Sequence, residues 1–171
     1  GIVGIVSKPK VRANNITGNI VIALDRISDP GNLGTIIRTA YWFDVKSILL
    51  SSHSADPYNP KVVRSSQGAI FHTDISEDAD LSKELLKLQS NGFTVYLFTL
   101  TAEKTLSEIS RSGITSDRSV IVFGSEAHGI SKEILELNFE QVKIRGNSGC
   151  ESLNAAIACG IVLYELRNTI S

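Results

Sequence analysis

The hydrophobic period of this chain switches repeatedly between two and about 3.6 residues, and that alternation constrains its fold more than any other feature. Strand-like runs occupy Ile20–Leu24, Ser47–Leu50, Phe93–Phe98, Ser119–Phe123 and Gln141–Ile144. They are dense in Val, Ile, Leu and Phe, so they read as strands covered on both faces, as in a parallel sheet. Between them lie helical stretches at Pro30–Phe43, Pro60–Ser66, Ala79–Ser90, Ser131–Leu137 and Glu151–Arg167. Pro30 suits a first helical position, where its missing N–H would have no partner. Asn91-Gly92 reads as a helix stop and a turn into the next strand. The pattern predicts an α/β domain of about five or six mostly parallel strands flanked by helices.

Composition excludes several function classes. The 171 residues suffice for one domain with a substantial core, and 13 Gly with 4 Pro are too few for a disordered or collagen-like chain. No apolar run approaches the roughly 18 residues of a membrane span. The 2 Cys, Cys150 and Cys159, argue against a disulfide scaffold and fit a reducing cytoplasm. With His53, His72 and His128 they form no recognisable zinc spacing, so no metal is expected. A net charge of −1 rules out a generic polycation, so any contact with nucleic acid must come from a local patch. Lys8, Lys10, Arg12, Lys61 and Arg64 are the candidates for that patch. Residues 1–15 open on an apolar, Gly-punctuated run and then become basic. They read either as an edge strand with a solvated loop or as the tail of a linker from an upstream domain. The absence of Met implies that Gly1 is not a native start.

Three segments carry candidate chemistry. The first is Asp29-Pro-Gly-Asn-Leu-Gly-Thr-Ile-Ile-Arg-Thr-Ala40, directly after a strand. A strand, a Gly-bearing turn and a helix start make an anion-friendly corner, because unpaired backbone N–H groups point outward there. It is neither a dinucleotide fingerprint nor a Walker loop. Leu33, Ile36, Ile37, Ala40 and Tyr41 form the apolar face of the helix, leaving Gly31, Thr35, Arg38 and Trp42 on another. Arg38 is therefore either an ordinary surface Arg or a side chain aimed at a ligand. Gly31 and Gly34 each cost helix stability, so each is expected to make room for something.

The second segment, Val120-Ile-Val-Phe-Gly-Ser-Glu-Ala-His-Gly129, is a buried strand breaking into a loop. Ligands of open parallel sheets sit beyond the carboxyl ends of strands, which puts Gly124 where backbone can approach one closely. Glu126 is either solvated or a partner for loop N–H groups and substrate, and His128 reads as a bystander. The third runs from Ile144 through Arg-Gly-Asn-Ser-Gly-Cys-Glu to Ser152-Leu153-Asn154 and an Ala-rich helix ending near Tyr164. Ser152 is an N-cap or a site residue, and Leu153 is core or an apolar contact for an adenine. Ala155, Ala156, Ala158 and Gly160 make one side of that helix small, which predicts close packing.

In this order and at these separations, the three segments closely resemble the motifs of the SpoU-TrmH family of RNA ribose 2′-O-methyltransferases, within the knotted SPOUT superfamily. The resemblance covers about Asn19 to Leu166 and includes Asn59-Pro-Lys-Val-Val-Arg-Ser-Ser-Gln-Gly-Ala-Ile-Phe71. It implies that residues 16–171 are a SPOUT catalytic domain whose C-terminal segment threads a deep trefoil knot. It further implies a homodimer and S-adenosyl-L-methionine as cofactor. By position, Asn32, Arg38, Glu126, Ser152 and Asn154 would shape the catalytic centre. Thr99, Leu100, Gly124, Ile144 and Leu153 would hold the cofactor, and tRNA or rRNA would be the partner. The third motif departs from the family where Ile-Pro-Met usually stands, having Arg145 and Gly146 after Ile144, and Ser148 where a Gly is usual; the spacing from Ile144 to Ser152 is intact. Many relatives carry an N-terminal RNA-binding domain, of which residues 1–15 would be the linker. The rival readings are a knotted RNA-binding protein with little activity and a base-specific knotted methyltransferase.

Overall fold

The computed structural model describes residues 16–111, 118–147 and 152–169. Lys8, Lys10, Arg12 and the whole 1–15 segment lie outside the described residues, as does Cys150. In chain order the strands are β1 (Ile20–Asp25), β2 (Ser47–Ser51), β3 (Asp74–Ala79), β4 (Thr94–Phe98), β5 (Ser119–Gly124) and β6 (Glu140–Val142). The helices are α1 (Pro30–Trp42), α2 (Pro60–Ser65), α3 (Leu81–Ser90), α4 (Leu106–Arg111), α5 (Lys132–Leu135) and α6 (Ala155–Thr169). The strands form one 6-stranded sheet in the order β3-β2-β1-β5-β4-β6, and every strand pairing is parallel.

Side-chain alternation along the central strands feeds two apolar layers. Ile22, Leu24, Ile121 and Phe123 point to the layer that α1, α2, α4 and α6 cover. Val21, Ala23, Val120 and Val122 point to the layer under α3 and α5. Burying both faces of β1 and β5 explains why their sequences read as continuous apolar runs rather than as alternation. Among the described residues no helix is long and apolar enough to cross a membrane.

β3 and α4 have no counterpart in the sequence reading, and several boundaries differ from it for local reasons. β3, with the sequence DISEDA, is polar because it is the sheet edge, and it buries only Ile75 and Ser76. Ala79 belongs to that strand and not to α3, whose N-cap is Asp80. β6 stops at Val142 rather than Ile144, although Lys143 still bridges Thr105. α6 starts at Ala155 rather than Glu151, because the Asn154 side chain accepts from the N–H groups of Ala156 (2.9 Å) and Ile157 (3.3 Å) and caps the helix.

The order of strands reverses between β1 and β5, whose paired residues run from Ile20–Ser119 to Asp25–Gly124. That is the switch point at which open α/β sheets leave a crevice beyond their carboxyl ends.

Candidate active site

The turn after β1 delivers α1 with a strong start. Asp29 is the N-cap, its side chain accepts from the N–H of Asn32 at 2.8 Å, and Pro30 follows at the first helical position. That N–H bond, with Lys61 Nζ 3.4 Å away, holds the Asp29 carboxyl below its ordinary value. Sequence reading gave Asp29 no role, although Asp before Pro at a strand–helix junction is an N-cap signature. The early helical glycines have protein neighbours. A Cβ on Gly34 would lie 1.9 Å from Ser65 Oγ and 2.7 Å from the Val62 carbonyl, so Gly34 lets α2 pack against α1. A Cβ on Gly31 would meet the Asp29 carboxylate at 2.9 Å.

Asn32 then faces the loop that follows β5. Its Nδ2 donates a short hydrogen bond to Glu126 Oε1, and its Oδ1 accepts from Asn154 Nδ2 at 2.9 Å. Asn154 spends its own Oδ1 on the α6 N-terminus, which fixes the orientation of its amide. One residue from each of the three sequence segments thus meets in a single hydrogen-bonded row across the switch point. The partners stand 94 and 122 positions apart in the chain.

The loop after β5 folds back at its base. A Cβ on Gly124 would lie 2.1 Å from the carbonyl carbon of Gly129, so the close approach that requires glycine here is made by the loop's own backbone. The Gly129 N–H donates to the Ser125 carbonyl at 2.8 Å, and Gly129 adopts φ +65°. His128 is exposed at the turn, and its N–H donates to Ser125 Oγ at 3.2 Å.

Beside this row, the ends of β5, β4 and β6 lie level. Leu97 pairs with Val122 and Phe98 with Val142, so Thr99 and Gly124 follow at the same height, and Ile144 comes one residue further on, level with Leu100. The Thr99 N–H donates to the Val142 carbonyl at 2.9 Å, and its hydroxyl to Gln141 Oε1 at 3.2 Å. Leu100 and Leu153 remain 67% and 45% exposed, although both are apolar. Ile144 is half-buried against the α1 layer.

Arg38 is not in the row. It stands six positions after Asn32, about 9 Å further along α1 at 1.5 Å per residue. Its side chain is exposed on the same surface as Thr35 and Trp42, and no hydrogen bond or ion pair ties it among the described residues. Ser152 is exposed two positions before Asn154, the residue whose side chain caps α6. Tyr41, expected on the core face, is 49% exposed and stacks on His72 with ring centroids 5.0 Å apart. Lys61 and Arg64 are exposed on α2, the first of them paired with Asp29. Cys159 is buried on the inner face of α6, and desolvation pushes its thiol up to about 12, which leaves it a packing group.

Comparison with known proteins places this arrangement. Residues 19–164 match the model of the SpoU rRNA Methylase family. A tRNA/rRNA methyltransferase of Synechocystis, itself uncharacterised, is 40% identical over 85% of this chain and 52% of its own length. The 23S rRNA (guanosine-2′-O)-methyltransferase RlmP of Bacillus subtilis is 32% identical over 88% of this chain and 59% of its own. The structure of an AdoMet-bound rRNA methyltransferase from Sinorhizobium meliloti superimposes with TM-score 0.79 at 31% identity, covering 90% of this chain and 57% of that one. The chain thus spans between half and two thirds of the length of these relatives. The family match covers all three segments that meet at the switch point, and the chain belongs to the SpoU rRNA methylase family.

Proposed function

We propose that this chain is the catalytic unit of an S-adenosyl-L-methionine-dependent methyltransferase acting on a ribose 2′-hydroxyl of tRNA or rRNA. The observation that carries the reading is the row Glu126–Asn32–Asn154, which draws all three family segments to one point of the sheet.

The residues beside that row fit the cofactor. Leu100 and Leu153 offer exposed apolar surface for an adenine, and the level ends of β4, β5 and β6 offer backbone groups for its polar edge. Thr99, Leu100, Gly124, Ile144 and Leu153 would hold it, and when bound it supplies a methyl group on a sulfonium that leaves as a neutral thioether. The chain's own task is to align a 2′ oxygen and to deal with its proton. Glu126 is held by Asn32 and stays a fixed acceptor at the rim. Asn154 is held by the helix it caps. Both are pre-organised before substrate arrives, so neither has to reorient as the 2′ oxygen is aligned. Arg38 is free to meet a phosphate bidentately, and Ser152 stands exposed at the mouth of α6.

Two further features support the family architecture. After β6, on the outer edge, the chain returns to pack α6 against α1 and α4, a path in keeping with a trefoil knot. Trp42 (83% exposed), Ile157 (56%), Ile161 (39%) and Tyr164 (61%) give neighbouring α1 and α6 an apolar outer surface that suits a homodimer. Lys61 and Arg64, with Lys8, Lys10 and Arg12, would supply phosphate contacts, and the site of action would be the cytoplasm.

The test is methylation of total RNA with label in the cofactor methyl group, followed by nucleoside mapping. Label on 2′-O-methylated nucleosides supports the reading. Label on a base assigns the chain to base methylation, and RNA binding without label to a scaffold role.

A further inference from the structure

A buried carboxylate links the two loops that carry Asn32 and Glu126, and no role in the reaction has been assigned to it above. Asp25 ends β1 and is only 3% exposed. Its Oδ2 accepts from the N–H of Ser131 at 2.7 Å, across 106 positions of chain. Its Oδ1 accepts from Ser51 Oγ at 3.2 Å and lies 3.4 Å from Arg26 Nε. The Arg26 N–H in turn donates to Ser51 Oγ at 2.8 Å. One side chain therefore ties the end of β1, the end of β2 and the far end of the loop after β5.

The position of this tie gives it leverage. Ser131 is the first residue after the Gly124–Ile130 loop, which is closed at its base by the Ser125–Gly129 bridge and is therefore a small closed unit. Register fixes the near end of that unit, since Gly124 pairs with Asp25 itself. Asp25 fixes the far end through Ser131. On its other side Asp25 begins the turn to α1. Arg26 takes φ 57°, a left-handed conformation that a non-glycine residue holds only where its surroundings impose it. The bond from the Arg26 N–H to Ser51 Oγ is such an imposition. A carboxylate suits this node because it accepts at both oxygens, from Ser131 and Ser51, and carries the charge that pairs with the Arg26 guanidinium.

Resting on the methyltransferase reading, we propose that Asp25 is a positioning residue. It holds the β1–α1 turn and the β5–α5 loop at the spacing at which Asn32 and Glu126 meet, and it touches neither RNA nor cofactor. A misplacement of about 1 Å at a reacting centre costs up to 100-fold in rate, so a loosened spacing is visible in turnover.

The experiment is Asp25→Asn in the whole chain, with Ser51→Ala as a second variant that removes one donor to Asp25 and the acceptor of the Arg26 N–H. Asn has the same size, so the core stays filled, but its amide NH2 must face either the Ser131 N–H or the side that carries Ser51 Oγ and the Arg26 guanidinium, and the charge beside Arg26 is lost. Amide exchange at Ser131 and Gly129 is expected to speed up by about tenfold or more, because both amides lose protection when the loop end is released. With RNA and cofactor, kcat is expected to fall about tenfold with KM for RNA changing less than about twofold. In a Glu126→Gln background the same change should lower kcat by less than about twofold, since its effect passes through Glu126. An equal fall in both backgrounds overturns the proposal, as does unchanged kcat in a folded Asp25→Asn protein. If the parent chain transfers no methyl group the functional reading fails, but unchanged exchange at Ser131 in either variant still overturns the tie. If Asp25→Asn does not fold, Ser51→Ala decides by the same exchange and kcat readouts, scaled to about twofold to threefold.

Discussion

Helices α3 and α6 cover opposite faces of the same sheet, and their outward sides differ in kind. α3 buries Leu81, Leu85 and Leu88 and turns charges outward, with Lys83 paired to Asp80 and Lys87 to Glu84. Leu86 is its only exposed large apolar side chain, an ordinary occurrence on a protein surface. α6 buries Val162, Leu163 and Leu166 but leaves Ile157, Ile161 and Tyr164 outside, at the i, i+4, i+7 spacing of a helical stripe. The α3 face is complete when solvent covers it. The α1–α6 face has an apolar stripe, an 83% exposed Trp and, among the described residues, no partner for Arg38, which is the surface the proposed homodimer would cover. Both chemistry and assembly are expected there, and neither at α3.

The sharpest way to break that contrast is at Arg38. If it serves the reaction mainly in the transition state, Arg38→Ala lowers kcat by roughly 100-fold or more, while truncating Lys83 or Lys87 on α3 changes it by less than about twofold. Cofactor affinity, measured by calorimetry, should barely change in any of these. Arg38→Lys then separates two roles. Lysine keeps the charge, loses the planar fork and gives up its proton more readily. Activity that survives and rises with pH marks Arg38 as the proton acceptor, and activity as low as Ala marks it as a phosphate clamp. Near-normal turnover by Arg38→Ala would remove Arg38 from the catalytic assignment and leave Asn32 as the contribution of α1.

Assembly gives the second test. Ile161→Glu or Trp42→Glu places a charge in the stripe and should halve the mass seen by light scattering, with the fold retained. Leu86→Glu on α3 should leave the mass unchanged. A monomeric parent chain at micromolar concentration, or loss of the dimer with Leu86→Glu, would invert the comparison.

Much of this was legible in the sequence, and the parts that were not share a cause. Five of the six strands carry their own apolar signal, and only β3, at the sheet edge with the sequence DISEDA, does not. α4 is short and follows a loop, so its two buried anchors, Leu106 and Ile109, show no sustained period. Asn32, Glu126 and Asn154 could be named as candidates from the motifs, but that they touch is a property of strand order and not of any local pattern. Asp25 was missed for the opposite reason: a lone Asp ending an apolar run looks like the start of a loop. Gly34 was expected to make room, correctly, but what it admits is Ser65 of α2.

That glycine provides the third test, a comparison of the two seams α1 makes. At Gly34 an added methyl would overlap Ser65 Oγ and the immobile Val62 carbonyl, whereas at Gly160 of α6 it would lie 3.8 Å from Thr39 Cγ2, an ordinary contact. Gly34→Ala should therefore destabilise by about 1–3 kcal/mol in denaturant unfolding, overriding the helix propensity of Ala. Gly160→Ala should be neutral or stabilise by up to about 1 kcal/mol. The reverse ranking would mean that α1 packs more tightly on α6 than on α2.

The smallest expected effect concerns the caps that start α1 and α3. Both are Asp, but Asp29 accepts from its N3 amide, Asn32, at 2.8 Å and Asp80 from its own, Lys83, at 3.3 Å. Both carboxyls sit below their ordinary value: Asp29 chiefly through the Asn32 N–H, Asp80 chiefly through the Lys83 side chain. A carboxyl whose value is lower folded than unfolded adds stability that is present above the unfolded value. That stability is lost as pH falls through the folded one. Both contributions should therefore be intact at neutral pH and fade only in the acid range below 3.8. Asp29→Ala should cost about 1 kcal/mol at pH 7, and its difference from the parent should shrink as pH drops through that range. Asp80→Ala should cost less, because its lowering comes first from an exposed Lys that salt screens. Raising ionic strength should erase most of the Asp80 effect and leave most of the Asp29 effect, whose principal partner is a backbone N–H. Equal salt sensitivity at the two caps would mean that Lys61, and not the Asn32 amide, holds the Asp29 carboxylate at the entrance to α1.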